Sequence, residues 1–206
     1  MGAYMPVGAN RTYAYIGQEQ FSFANWAKAV RRGNTFSTTG PLLLLKVDGQ
    51  VPGDEIAISN RGGTLEVQVE ARSFVPFHRL EVVQNGRVVA LREATDGTQE
   101  LTVDEKLNVK GPAWVAARCA SKYGPTTGWQ LGIQAHTSPV YVRVPGEELF
   151  SAPAASYMLT LVEGARSWMD TLATRPDPER FARAQTVFEE AKRHLHERLH
   201  KHGIKH

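Results

Sequence analysis

Histidines crowd the C-terminal end of this chain, where imidazole groups at helical spacing can bind a metal ion. His196 and His200 are four residues apart, so on a helix both rings lie on the same side. A structural metal site needs about four ligands, and no Glu or Cys completes a known motif with this pair. His196 and His200 are therefore the candidate metal ligands, but a solvated helix end without a resident metal is the favoured interpretation.

Three polar residues occur where their local sequence does not explain them. Arg118 interrupts the apolar segment 113–120 and needs a carboxylate or carbonyl partner. His136 comes just before a predicted strand, and Arg11 lies close to another. For His136 the alternative is an imidazole whose hydrogen bonds are satisfied by the backbone at a sheet edge.

Familiar catalytic patterns do not occur in the sequence. Ser138 precedes a proline, and there is no Gly-x-Ser-x-Gly segment to form a nucleophile elbow. The glycine-rich stretches lie between predicted strands and not before helices, which does not suit phosphate binding. The single cysteine, Cys119, lies in an apolar run and is predicted to be a buried structural thiol. The sequence thus predicts no catalytic residue and no cofactor for this chain.

The composition is that of a folded protein of one or two domains. Hydrophobic residues make up 42% of the 206 residues and charged residues 22%, which argues against disorder. The net charge of +3 is too small to indicate a nucleic-acid partner. No apolar run approaches the roughly 20 residues of a membrane-spanning helix. Neither a nucleic acid nor a membrane span is therefore predicted.

The N-terminal forty residues are predicted to contain a strand and a short helix. The helix covers 21–32, with Ser22 as N-cap and Gly33 as a left-handed C-cap. The polar segment 35–39 that follows is predicted to be a turn, because it extends the helix poorly. The strand, 12–16, has no neighbour along the chain to pair with, and an isolated strand needs a sheet. This region therefore resembles a segment cut from something larger.

The pattern changes to short strands from residue 41 onward. The pattern predicts seven strand segments, at residues 42–47, 55–59, 64–71, 80–91, 100–109, 113–120 and 139–144. Within the segment 80–91, Asn85-Gly86 predicts a tight hairpin. Closely spaced strands with such turns indicate an immunoglobulin-like antiparallel β-sandwich over 41–150, without the immunoglobulin disulfide. From Ser151, a candidate N-cap, the period becomes helical, and Asp177-Pro178 restarts a second helix with Asp177 as its N-cap. We therefore expect a mostly β chain with α elements that ends in an αα-hairpin over 151–206.

A longer segment adds a family resemblance. It begins with Trp26, continues as Ala-Val-Arg-Arg-Gly-Asn-Thr-Phe-Ser-Thr-Thr-Gly-Pro-Leu-Leu over 29–43, and leads to Val47-Asp-Gly and Pro52-Gly-Asp. It resembles the segment that follows the metal-binding barrel in the CehA/McbA group of the polymerase-and-histidinol-phosphatase (PHP) superfamily of metallohydrolases. Segments 6–13, 80–88, 114–119 and 135–142 are also similar. One departure is Thr39, where the family often has Asn.

The resemblance implies a role without catalysis in this chain. The family hydrolyses ester-like bonds with His and Asp metal ligands from its barrel, including an early His-x-His pair. Here no histidine precedes His78, and His194 and His196 have that spacing only on a C-terminal helix. The chain then corresponds to an accessory domain that packs on an upstream PHP barrel and shapes its cleft, with residues 1–40 leaving the barrel. The implied interdomain or cleft contacts are Arg11, Thr38, Thr39, Gly40, Arg118 and His136.

Two other functions stay open on the sequence. One is an independent ligand-binding or adhesion module with an immunoglobulin-like fold, for which an exposed aromatic groove is the distinguishing feature. The other is an enzyme whose site forms within this chain, at the C-terminal histidines. Under the accessory-domain interpretation, the isolated chain is expected to form a homodimer through the surface that the barrel would cover.

Overall fold

A computed structural model describes residues 7–59, 62–122, 132–174 and 177–204. Pro6, the first residue of the family-like segment 6–13, lies outside these ranges, and so does the C-terminal His206. The chain divides into two compact units, Met1–Glu148 and Leu149–His206.

The first unit begins with strand β1 (Arg11–Ala14), helix α1 (Phe23–Arg32) and strand β2 (Thr35–Thr38). The helix caps are the predicted ones: the Ser22 hydroxyl accepts from the Asn25 amide, and Gly33 has a φ of 79°. Strand β2 was not predicted, and the predicted turn at 35–39 is wrong. Its β-branched and aromatic residues suit a pleated sheet once pairing partners are present on both sides.

The expectation that the N-terminal strand has no partner is also wrong. β1 pairs antiparallel with β2, with Arg11 opposite Thr38 and Ala14 opposite Thr35. The rings of Tyr13 and Phe36 stack across this pair with centroids 5.0 Å apart. The partner strand lies beyond an intervening helix, so the pairing could not be recognised from residues adjacent in the sequence.

Four further strands follow: β3 (Leu42–Val47), β4 (Glu55–Ala57), β5 (Gly63–Gln84) and β6 (Arg87–Val109). The hairpin between β5 and β6 is the predicted one, with positive φ angles at Asn85 and Gly86. The sequence pattern predicts four separate strands over this region, whereas β5 and β6 are each one long strand in the structure. Irregular pairing near Phe77 marks where the register changes.

The remaining strands of the first unit are β7 (Ala113–Ala120), β8 (Gln134–Thr137) and β9 (Val140–Arg143). Along the main path of the sheet the strand order is β1-β2-β8-β7-β5-β3, with β6 on β5 and β9 on β7. β4 pairs with β9 in parallel, so the sheet is not wholly antiparallel as predicted. β8 was missed because only four residues form it, and its pairing with β2 spans about a hundred residues of sequence.

A single hydrophobic cluster forms the centre of the first unit. Alternate residues of β3, the first half of β5 and the last part of β6 are buried, and so are alternate residues of β7 and β9. The described residues of the unit are therefore strand-rich, as predicted, and their nine strands form one continuous sheet. The immunoglobulin-like sandwich is a more specific description of this sheet and remains a prediction.

Two pieces of the family-like segment contact each other in the first unit. Gly53 lies against the turn that ends α1, with a φ of 91°, and a Cβ atom added there would come within 2.7 Å of the Gly33 carbonyl carbon. The Asn34 side chain donates to the Pro52 carbonyl at 2.7 Å. The close approach of the backbone requires glycine at position 53, whereas the left-handed C-cap conformation explains Gly33.

The second unit is a pair of antiparallel helices, α2 (Ala152–Thr171) and α3 (Pro178–Lys201). The predicted caps are present: the Ser151 hydroxyl accepts from the Ala154 amide, and the Asp177 carboxylate accepts from the Glu179 amide. Lys192 pairs with Glu163 at 2.8 Å across the two helices. The αα-hairpin expected from the helical periodicity is thus confirmed.

Candidate functional site

The candidate site is built on a row of polar residues that crosses five strands in register. Thr12 on β1 lies opposite Ser37 on β2, and Ser37 lies opposite His136 on β8. His136 lies opposite Arg118 on β7, which in turn lies opposite Glu81 on β5. Directly paired residues in antiparallel strands project from the same face of a sheet. The topology therefore places together five side chains that are far apart in the sequence.

A second row gives this face its concave shape. Arg79 on β5 pairs with Ala120 on β7, and Ala120 pairs with Gln134 on β8. Ala120 has the shortest side chain of the three, so the surface dips between the longer ones. The two rows border an open cavity of about 400 Å³. Cavities of this size accommodate small ligands.

A buried carboxylate lies at one end of the polar row. Glu81 is only 5% exposed, although it carries a charge in the middle of a sheet. Arg118 donates through Nε to one carboxylate oxygen, and Arg79 Nε lies 3.5 Å from the other. Because burying a charge is costly unless it is paired, the two arginines account for the position of Glu81.

The hydroxyl groups at the cavity divide into two kinds. Thr38 donates to the Pro41 carbonyl at 2.6 Å, and Thr39 donates to the Gly132 carbonyl at 2.6 Å. These two hydroxyls are used in holding the end of β2. Thr12 and Ser37 instead bond to each other at 3.0 Å, so one of the two protons remains available. A ligand can therefore receive a hydrogen bond from the Thr12–Ser37 pair.

Cys119 borders the cavity, but it does not provide a nucleophile. The residue is buried, and burial raises the pKa of its thiol to about 12. At neutral pH the thiol is therefore protonated, and the thiolate is the reactive form. The structure confirms the prediction of a buried thiol.

The structure places five of the six predicted contact residues around this cavity. Arg11, Thr38, Thr39, Arg118 and His136 all line it. Gly40 does not line it; a Cβ atom added there would lie 3.4 Å from the Ile133 side chain. Sequence reasoning missed Arg79 and Glu81. The available signal was Glu81 itself, a charged residue between Leu80 and Val82 in an apolar strand.

The C-terminal histidines do not assemble a metal centre among the residues that the structure describes. The rings of His196 and His200 lie with their centroids 6.4 Å apart on α3. The same shallow surface is lined by Lys192 and Arg193 and by Glu189 and Glu197, so its formal charges balance. Within the described ranges no three His, Cys, Asp or Glu side chains are grouped to hold a metal ion.

Comparison with known proteins does not assign the chain to a class. No model of a known protein family matches the sequence, and no curated protein matches it. Among the described helices, none is both long and apolar enough to cross a membrane.

Proposed function

We propose that this chain is a non-catalytic accessory β domain of a PHP-type metal-dependent hydrolase-like protein. In this role it packs on the barrel and shapes the cleft in which the barrel acts. The observation that carries the proposal is the cavity itself: residues singled out as cleft contacts converge there from β1, β2, β7 and β8. The cavity offers donors and charge but no reactive thiol, which suits binding better than bond cleavage.

A surface for the barrel is available in the N-terminal segment. Phe21 and Phe23 are 80% and 79% exposed, and Trp26 is 38% exposed. The Phe23 and Trp26 rings lie 5.8 Å apart, so they form a small aromatic patch. Exposed apolar patches often mark interfaces, and aromatic residues are enriched in them. We assign this aromatic patch, Phe21, Phe23 and Trp26, to the contact with the barrel.

The proposal includes a finer description of the fold. We infer that strands β3 to β9 form an immunoglobulin-like sandwich, domain 41–150, because both halves of the long strand β5 contribute buried residues to one cluster. Residues 1–40 then connect to the barrel, and 151–206 form the C-terminal helical hairpin.

The test of the accessory role needs the parent protein. The genomic reading frame upstream of Met1 is determined first, and a barrel with a His-x-His pair is expected there. The full protein is then assayed with activated esters and phosphoesters in the presence of zinc or manganese. We expect metal-dependent turnover in the full protein and none above background in this chain alone. An upstream frame without a barrel, or turnover by this chain that is lost on His136→Ala, would contradict the proposal.

The alternative is an independent ligand-binding module. One observation favours it: the Glu81 carboxylate already holds Arg118 and Arg79 at the cavity, so these two donors do not need a second domain to position them. The two functions differ in what happens on separation from the barrel. An independent module keeps its full affinity for its biological ligand in isolation. An accessory domain keeps only the contacts that its own residues make, and it binds that ligand more tightly in the parent protein.

A further inference from the structure

We propose that the cavity binds the oxyanion group of a small ligand, a carboxylate or a phosphate, through Arg118 and Arg79. Arg118 and Arg79 belong to the two rows that border the cavity, and Glu81 is the one carboxylate among the described residues that line it. Two positive charges against one negative charge leave an excess of one positive charge. A concave surface of one sign concentrates counter-ions. The cavity is therefore selective for anions.

The arginines are held in position before a ligand arrives. Arg118 and Arg79 both approach Glu81 through Nε. The terminal amino groups of the two side chains make no hydrogen bond to any described residue, and Arg118 remains 53% exposed on its side chain. A guanidinium presents its donors in a rigid fork that matches two oxygens of a carboxylate or phosphate. Because Glu81 fixes the forks, less side-chain freedom is lost on binding.

Neutral groups complete the site and limit the ligand size. The free proton of the Thr12–Ser37 pair provides an uncharged donor at the far end of the row. Ala120 opens the space between the two rows. A cavity of about 400 Å³ takes a small molecule and not a folded partner or a nucleic-acid duplex. This inference does not depend on the accessory role, since the residues that bind are all in this chain.

The test is calorimetric titration of the isolated chain with inorganic phosphate and, separately, with succinate, at constant ionic strength set with sodium chloride. We expect saturable one-site binding of at least one probe. Tighter binding of phosphate identifies a phosphate ligand, tighter binding of succinate a carboxylate ligand, and equal binding supports the shared oxyanion chemistry. Saturation by neither probe in the millimolar range would overturn the proposal.

Two variants test the site, and a third variant is the matched control. Arg118→Lys keeps the charge but removes the fork, and Ala120→Leu fills the cavity without changing charge. Each is expected to weaken binding roughly tenfold, about 1.4 kcal/mol. Arg92→Lys makes the same change at an arginine outside the cavity that is 46% exposed and paired with Glu105; it should bind within about twofold of the parent chain. Equal affinity of all three variants for the probe would show adventitious charge binding and overturn the proposal. Far-ultraviolet circular dichroism checks that each variant is folded.

Discussion

Glu81 and Arg118 face each other across β5 and β7, and the carboxylate is buried while the guanidinium reaches the cavity. The pair joins the interior of the sheet to its candidate functional surface. The Glu81 carboxylate is almost completely buried and depends on Arg118 to compensate its charge. The Arg118 side chain is half-exposed, so water can solvate it without Glu81. Substitutions at the two positions should therefore have unequal effects.

Arg118→Ala is expected to lower the free energy of unfolding by about 1–3 kcal/mol, because it leaves a buried carboxylate with only the longer contact to Arg79. Glu81→Gln keeps the side-chain shape and leaves both arginines accessible to water, so its effect should be smaller. Urea denaturation of the two variants and the parent chain measures both values. A larger loss for Glu81→Gln would show that the buried charge itself stabilises the sheet.

Gly86→Val should destabilise the β5–β6 hairpin. A Cβ atom at Gly86 would meet nothing within 4 Å, so the cost comes only from the φ of 83°. Forcing a β-branched residue into this conformation costs roughly 1–3 kcal/mol. Gly111→Ala is the control, because Gly111 has no positive φ and its added Cβ would make an ordinary contact. An unchanged urea midpoint for Gly86→Val would contradict the turn type.

Cys119 should make stability depend on pH in alkaline solution. The folded chain holds the thiol proton up to a pKa of about 12, whereas the unfolded chain releases it near the ordinary thiol pKa of about 8.5. The stabilisation is therefore complete below that ordinary pKa and is lost as the pH rises toward the folded value. Urea denaturation at about pH 7 and about pH 10 should show a larger decrease for the parent chain than for Cys119→Ala. Equal decreases would mean that the thiol is accessible to water in the folded chain.

The isolated chain should self-associate through the aromatic patch. Light scattering is expected to show a dimer, the commonest closed assembly. The double variant Phe21→Ser and Phe23→Ser should be a monomer. Phe74→Ser is the control, because Phe74 is also exposed but lies on β5. A monomeric parent chain would favour the independent module over the accessory domain.

How much of the fold could be predicted from the sequence depends on whether each feature is determined by neighbouring residues or by distant ones. The local features were predicted correctly: the N-caps of α1, α2 and α3, the C-cap of α1 and the turn at Asn85-Gly86. Each is determined by a few adjacent residues. Strands β2 and β8 were missed. Each has four residues, and they stabilise each other only after the chain has brought residues 35–38 and 134–137 together.

The candidate site could also be predicted only where adjacent residues determine a feature. Arg118 and His136 stood out because each is polar beside apolar neighbours, but their pairing across β7 and β8 depends on strand order. Strand order is a property of the whole sheet and leaves no mark in a single sequence. Glu81 was missed for a related reason: its partners come from another strand and from a position two residues away, and neither forms a motif.

Whether the cavity is the functional surface of a non-catalytic domain is tested most directly by an NMR titration of the isolated chain. Backbone amide shifts are followed as inorganic phosphate or succinate is added at constant ionic strength. We expect saturable changes confined to the rows around Ser37, His136, Arg118 and Ala120, with one common dissociation constant. Changes that are linear in concentration, or that are as large around Arg92 as at the cavity, would contradict this function for the cavity.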